Sequence, residues 1–330
     1  MGKCRNCGAQ VTTDLGFIGE IAPFFLKRVL NLEYGLAPTG HPMKRFLRRI
    51  GFFSKSFQKV YGKSVLVEME ICTSCSFIQT KLPFPDEAIG RLYTDYRSDS
   101  YNQERIRYEP EYASIASQVG NCAQEIQTRK VGLSQWLKEK FEVESNFSML
   151  DYGGADGKFL PDLPGEKYVF DISDIAPAEG IKRIGSEAEL SSYSYVQLAH
   201  ILEHVSYPLV LTRKAASFLR DSGHLYIEVP MEVSDEAISR LETQQNTVRL
   251  PIHEHINQYS VRAVTELLRS AGLTVVSVQT DVTDLGWSKG NYSQGAWKET
   301  LNFAIMHRRP FRENEAANSH PIIPCILGNL

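Results

Sequence analysis

Two short cysteine motifs set the strongest constraint on how this chain can fold. Cys4-Arg5-Asn6-Cys7 and Cys72-Thr73-Ser74-Cys75 share the Cys-x-x-Cys spacing. A turn of this kind aims two thiolates at one cation, and two such turns supply the four sulfurs of a closed tetrahedral zinc site. The predicted structural Zn2+ ligands are therefore Cys4, Cys7, Cys72 and Cys75, with Gly8 as a turn residue after the first pair. The 64 residues between the pairs, 8–71, must then fold as an insertion into the metal site. Six cysteines in 330 residues, without an apolar leader in Met1 to Asn6, do not read as a disulfide scaffold, so the expected location is the cytoplasm.

Charge divides the chain unevenly. Residues 1–65 hold 11 Lys+Arg against 3 Asp+Glu, and residues 66–330 hold 25 against 36. Within the basic part, Met43, Phe46, Leu47, Ile50, Phe53, Phe57 and Val60 recur at three or four residues, with Lys44, Arg45, Arg48, Arg49, Lys55 and Lys59 opposite them. That pattern predicts a basic amphipathic helix over 43–60, interrupted near Gly51. The most apolar N-terminal run, Gly16 to Leu26, is broken by Glu20 and Pro23 and is too short to span a bilayer.

Further along, Val65 to Ile71 predicts a strand leading into the second cysteine pair, and Pro83, Pro85 and Asp86 open a helix to Leu92. Residues 93–102 are polar, tyrosine-rich and without a period, which predicts a link or lid outside any core. Helical patterning then runs from Glu109 to Phe141. From there strand-like and helix-like segments alternate, with candidate strands at Ser148 to Tyr152, Lys167 to Phe170, Tyr195 to Leu198, His224 to Val229, Leu273 to Gln279 and Leu301 to Met306. This rhythm predicts an α/β sheet.

The first of these strands ends in Asp151-Tyr152-Gly153-Gly154-Ala155-Asp156-Gly157, with Lys158 to Leu160 read as a helix start. The turn does not fit the dinucleotide fingerprint GxGxxG. Asp171 closes the second strand 20 residues after Asp151, where an α/β nucleoside site places a carboxylate on the ribose hydroxyls. Together with His200-Ile201-Leu202-Glu203-His204-Val205 and His224 to Pro230, these segments resemble a class I S-adenosylmethionine-dependent methyltransferase. The resemblance implies a Rossmann-like α/β fold with a seven-stranded sheet, and S-adenosylmethionine held by Asp151, Gly153, Gly154, Gly157, Asp171 and His200. Tyr96, in the tyrosine-rich link, is placed with them.

The two cysteine pairs, the Asp-Tyr link and Pro251-Ile252-His253-Glu254-His255 also resemble the sugar C-methyltransferases of deoxysugar pathways. Those enzymes carry a tyrosine where Ile252 stands, and they have a further C-terminal domain for which 330 residues leave no room. The implied organisation is a zinc-binding basic module, 1–92, a tyrosine-rich link and helix, 93–125, a methyltransferase domain, 126–310, and a peripheral tail, 311–330.

The implied function is O- or C-methylation of a sugar, nucleotide-sugar or related polar small molecule. Such chemistry needs a base for a hydroxyl or carbon acid. His255 is the expected base, Glu254 orients it or the acceptor, and His200 is the rival catalytic histidine. A metal site of His253 and His255 is set aside, because ligands one residue apart make an uncommon geometry. Two alternatives stand beside this reading. One is an RNA methyltransferase that binds nucleic acid through the basic module; the other is a non-enzymatic, zinc-dependent interaction protein.

Overall fold

The computed structural model describes residues 2–10, 12–13, 17–32, 65–114, 116, 123–144, 146–231, 238, 248–279 and 300–307. The basic segment 43–60, Cys122, Cys325 and the tail 311–330 lie outside the described residues. No described helix is long and apolar enough to cross a membrane.

The N-terminal part contains β1 (Thr12–Thr13), β2 (Phe17–Ile21), α1 (Pro23–Leu30), β3 (Val65–Cys72), β4 (Ile78–Thr80) and α2 (Asp86–Leu92). The next helices are α3 (Asp99–Tyr108) and α4 (Ala123–Lys140), separated by a 3-10 turn at Pro110–Ser114. The strands then run β5 (Ser148–Tyr152), β6 (Glu166–Phe170), β7 (Lys182–Arg183) and β8 (Tyr193–Ala199). After α5 (Pro208–Ser217) come β9 (Leu219–Met231), β10 (Val248–Ile252) and β11 (Asn257–Gln258), then α6 (Val261–Ser270), β12 (Thr274–Gln279) and β13 (Thr300–His307).

The larger sheet has the order β12-β13-β9-β8-β5-β6-β7. Strands β9, β8, β5, β6 and β7 are parallel neighbours, whereas β13 lies antiparallel between β9 and β12. This is the expected seven-stranded, Rossmann-like α/β sheet. Its central strands are apolar on both faces: Met149, Leu150, Val196, Leu198, Leu225 and Ile227 are all fully buried, as a parallel sheet covered by helices requires. Helix α6 closes one face with Ala263, Val264, Leu267 and Leu268. Each of the larger of these contributes about 1.5–3 kcal/mol of apolar burial. The Ser260 side chain caps the helix by accepting from the Ala263 N–H.

The smaller sheet has the order β10-β2-β3-β4-β11, with β1 pairing β3. Strands β10 and β11 follow β9 in the chain but hydrogen-bond to β2 and β4 respectively. The segment that holds residues 253–256 is thereby suspended between two strands of the N-terminal sheet.

Two local expectations are corrected. The tyrosine-rich stretch is not outside the core: it enters α3, where Ser98 caps the helix and Tyr101 and Tyr108 are buried against Phe24 of α1. Its period is hidden because the buried side chains are tyrosines among charged residues. Lys158 to Leu160 do not start a helix but form turns, with Leu160 N–H bonded to Gly157 O. Pro161 and Pro164 follow closely, and a residue preceding proline is biased away from helical backbone.

Candidate active site

The four cysteines converge. Cys4 Sγ lies 3.7 Å from Cys75 Sγ, and Cys7 Sγ lies 3.7 Å from Cys72 Sγ. All four sulfurs fall within 4.8 Å of one another. Four sulfurs bonded to one zinc at about 2.3 Å in a tetrahedron stand about 3.8 Å apart. The sulfurs are also far too distant for disulfides. Both turns are built alike: Gly8 N–H bonds to Cys4 O, Ser76 N–H bonds to Cys72 O, and Gly8 and Ser76 are both left-handed, with φ of 80° and 61°. Asn6 Nδ2 donates to Cys75 Sγ and to Ala263 O, tying the cluster to α6. The donor set fits a structural zinc, which would hold the two turns together.

The residues expected to hold the cofactor gather at the carboxyl ends of β5, β6 and β8, where parallel sheets bind ligands. Gly153 has φ +83°, and its N–H bonds to Phe170 O. A Cβ on Gly154 would stand 2.0 Å from the Asp151 carboxyl carbon, so no side chain fits there. Asp171 receives Ala155 N–H on Oδ2 at 2.8 Å and Ser173 N–H on Oδ1 at 2.7 Å, which fastens the turn to the second strand. Asp151 is buried beneath the turn, its Oδ1 has no hydrogen-bond partner among the described residues, and burial pushes its pKa up to about 7. Ile201 packs where a Cβ on Gly153 would project, so the histidine segment faces the glycine turn.

His200 begins that segment with φ +56°. Its Nε2 faces Glu228 Oε1 at 3.0 Å, and its Nδ1 faces Glu203 Oε1 at 3.2 Å. Carboxylates only accept, so both ring nitrogens carry protons. Burial alone would lower the pKa of this imidazole, but Glu228 and Glu203 raise it to about 9. Arg129 of α4 pairs with the other oxygen of Glu228, completing a buried row of alternating charge. A histidine held protonated in this way cannot take a proton at neutral pH.

His204 and His255 are different. His204 Nδ1 donates to Glu254 O at 3.2 Å, and burial lowers its pKa below the ordinary value. Its ring meets His255 at 4.9 Å and Tyr93 at 5.5 Å, both edge to face. Two anchors hold these rings together: Ile256 N–H bonds to Glu203 O, and Asn257 Nδ2 donates to Leu202 O and Val205 O. His253 points elsewhere, its Nδ1 lying 3.3 Å from Glu109 Oε1. The Glu254 carboxylate pairs with Arg105 of α3, and Arg105 also reaches Glu109 at 3.2 Å. Burial would raise the Glu254 pKa, but Arg105 holds it down to about 2.

Tyr96 stacks edge to face on Tyr93 and Tyr101, with the Arg97 guanidinium over its ring, in the wall that continues from His204. Sequence reasoning missed Arg97, Arg105, Glu109, Arg129 and Glu228 as members of the site. Glu228 alone left a signal, as a carboxylate inside an otherwise apolar strand. The arginines lie on helices whose pattern carries no sign of which charge they meet.

A family model described as "Methyltransferase domain" matches residues 118–278. Among curated proteins none matches the chain. Among solved structures, the chain is similar to one in the complex between the Haloferax volcanii Trm112 methyltransferase activator and a methyltransferase. Identity there is 15% and the TM-score 0.43, over 62% of this chain and 98% of that one. It is also similar to the Burkholderia thailandensis 1,6-didemethyltoxoflavin-N1-methyltransferase, solved with 1,6-didemethyltoxoflavin and S-adenosylhomocysteine. Here identity is 13% and the TM-score 0.43, over 73% of this chain and 96% of that one. With the strand order and the glycine turn already described, residues 118–278 form a class I methyltransferase domain, and the protein is an S-adenosylmethionine-dependent methyltransferase.

Proposed function

We infer that the protein methylates an oxygen or carbon of a sugar, nucleotide-sugar or related polar small molecule, with His255 as general base. The observation that carries this reading is the pairing of His204 and His255 beside a histidine, His200, that is held protonated. One imidazole is kept charged by two carboxylates, while the other two stand together where they cannot both be cations at low cost. The polar acceptor is supported by Tyr93 Oη and Arg97 Nε, which are buried without a hydrogen-bond partner among the described residues. Buried donors left unpaired cost free energy that a hydroxylated ligand recovers.

In this reading the Gly153 to Gly157 turn and Asp171 hold S-adenosylmethionine, which supplies an electrophilic methyl when bound. Gly153 and Gly157, both with positive φ, let the backbone of the turn approach a ligand closely. Exposed Ile172, beside Asp171, offers an apolar shelf for a base. His255 takes the acceptor proton as the new bond to the methyl forms and the bond to sulfur breaks. Arg105 keeps Glu254 ionised and its loop in place, so that Glu254 O fixes the His204 tautomer. Cys4, Cys7, Cys72 and Cys75 hold zinc as a structural staple, and Tyr96 lines the cleft.

The test is methyl transfer from isotopically labelled S-adenosylmethionine to a panel of nucleotide-sugars, free sugars and RNA. Label in a nucleotide-sugar or sugar supports the reading, and label confined to RNA overturns it. His255→Ala should bind S-adenosylhomocysteine as the parent does while turnover falls about 100-fold or more. Unchanged turnover on the true acceptor would remove His255 from proton transfer.

A further inference from the structure

A second cluster of donor atoms lies apart from the cysteines. Glu203, His204 and His255 each present one ligand atom, and these atoms lie within 4.8 Å of one another. They come from two segments, the Leu202–His204 turn after β8 and the loop between β10 and β11, which the Ile256 and Asn257 anchors lock together.

The hydrogen bonding of His204 and Glu203 leaves a ligand atom available on each. Glu254 O is a carbonyl and can only accept, so His204 carries its proton on Nδ1 and keeps a bare lone pair on Nε2. That nitrogen is 3.7 Å from Glu203 Oε1, so in the neutral tautomer two lone-pair atoms confront each other with no hydrogen between them. Glu203 is fully buried; its Oε1 also faces His200, and its Oε2 has no hydrogen-bond partner among the described residues. A buried carboxylate oxygen without a donor costs free energy that a cation recovers. A backbone carbonyl that fixes the tautomer of an imidazole is also the usual support behind a metal-ligating histidine.

We propose that Glu203, His204 and His255 form a second divalent-cation site, separate from the cysteine cluster and facing the acceptor side of the cleft. Two imidazoles and one carboxylate suit Zn2+ or Co2+ and not Mg2+ or Ca2+, which take oxygen ligands. Three protein ligands leave at least one position for water or an acceptor oxygen, unlike the closed cysteine site. The His255 lone pair cannot hold a cation and accept a proton at once, so the loaded form is the one in which His255 is withdrawn as a base. That last consequence rests on the function inferred above; the site itself does not.

The experiment uses the full chain with one zinc equivalent on its cysteines and no S-adenosylmethionine, titrated with Co2+ by calorimetry and visible absorption. One further equivalent is expected, with weak ligand-field bands and no thiolate charge-transfer band. His204→Gln and His255→Gln should each weaken its uptake more than about 100-fold, beyond what loss of an outer-shell partner costs. Zinc content and thermal unfolding should stay as in the parent. His255 is only partly buried, so its variant keeps the test available where His204→Gln fails to fold. No further equivalent, Co2+ bound only by displacing zinc from the cysteines, or parental uptake by His255→Gln would overturn the proposal. Because methyl transfer is not measured, failure of the inferred function would leave this result standing.

Discussion

Replacing Arg105 with Met tests how the loop carrying His255 is held. Arg105 sits on α3 with 9% of its side chain exposed and pairs with Glu254 and Glu109, whose side chains are 14% and 3% exposed. Methionine fills similar volume but leaves two buried carboxylates facing no guanidinium, and breaking a buried pair from one side costs about 3–5 kcal/mol. An independent route gives a similar figure. Glu254 is held from 4.5 down to about 2, which at 1.36 kcal/mol per pKa unit is about 3 kcal/mol of interaction.

The pH dependence has a definite sign. A carboxylate whose folded pKa lies below its unfolded one stabilises fully above the unfolded value and loses that contribution as pH falls through the folded one. The Arg105→Met deficit should therefore be full at pH 7 and shrink between about pH 4.5 and 2. Urea unfolding of both proteins across that range measures it, and Glu254→Gln with the double variant gives the coupling energy. A deficit under about 1 kcal/mol at pH 7, or one that grows on acidification, would refute the view that this ion pair holds the loop.

Freshly prepared protein kept in reductant should contain about one zinc equivalent by elemental analysis, and Cys72→Ser should lose it and unfold at lower temperature. S-adenosylmethionine should bind and nicotinamide dinucleotides should not; by calorimetry, Asp171→Ala should weaken cofactor binding by about 2–3 kcal/mol. Asp171→Asn should lose less, since its carbonyl oxygen still accepts one of the two backbone N–H groups. His200 stabilises fully below its ordinary pKa of 6.5, and that contribution should fade as pH rises through about 9. NMR of the imidazole should show it still protonated at pH 8, whereas titration near 6.5 would place it outside the clamp of Glu203 and Glu228.

The parallel strands were legible because apolar runs such as Ser148–Tyr152 and Tyr193–Ala199 are bounded by turn residues and need no partner information to be read. Helix α3 was not, because Tyr101 and Tyr108 are separated by Asn, Gln, Glu and Arg, and its buried face includes the charged residue Arg105. Amphipathic patterning counts side-chain types, and a charge that is buried against another charge looks like solvent-facing polarity. The same blindness hid Arg129 against Glu228.

By itself the sequence determined the parts whose chemistry is local: two cysteine turns with one spacing, a glycine-rich turn after the first strand of the α/β part, and an acid 20 residues after Asp151. Each follows from bond lengths and backbone sterics within a few residues. Only the tertiary structure decided what surrounds each histidine. His200 and His204 stand four residues apart on one turn, yet one lies between the Glu203 and Glu228 carboxylates, while the other meets a backbone carbonyl, a second imidazole and, at 3.7 Å, Glu203. A histidine's protonation is fixed by the charges within a few ångströms, and here Glu228 and His255 are brought there by strand pairing across distant parts of the chain.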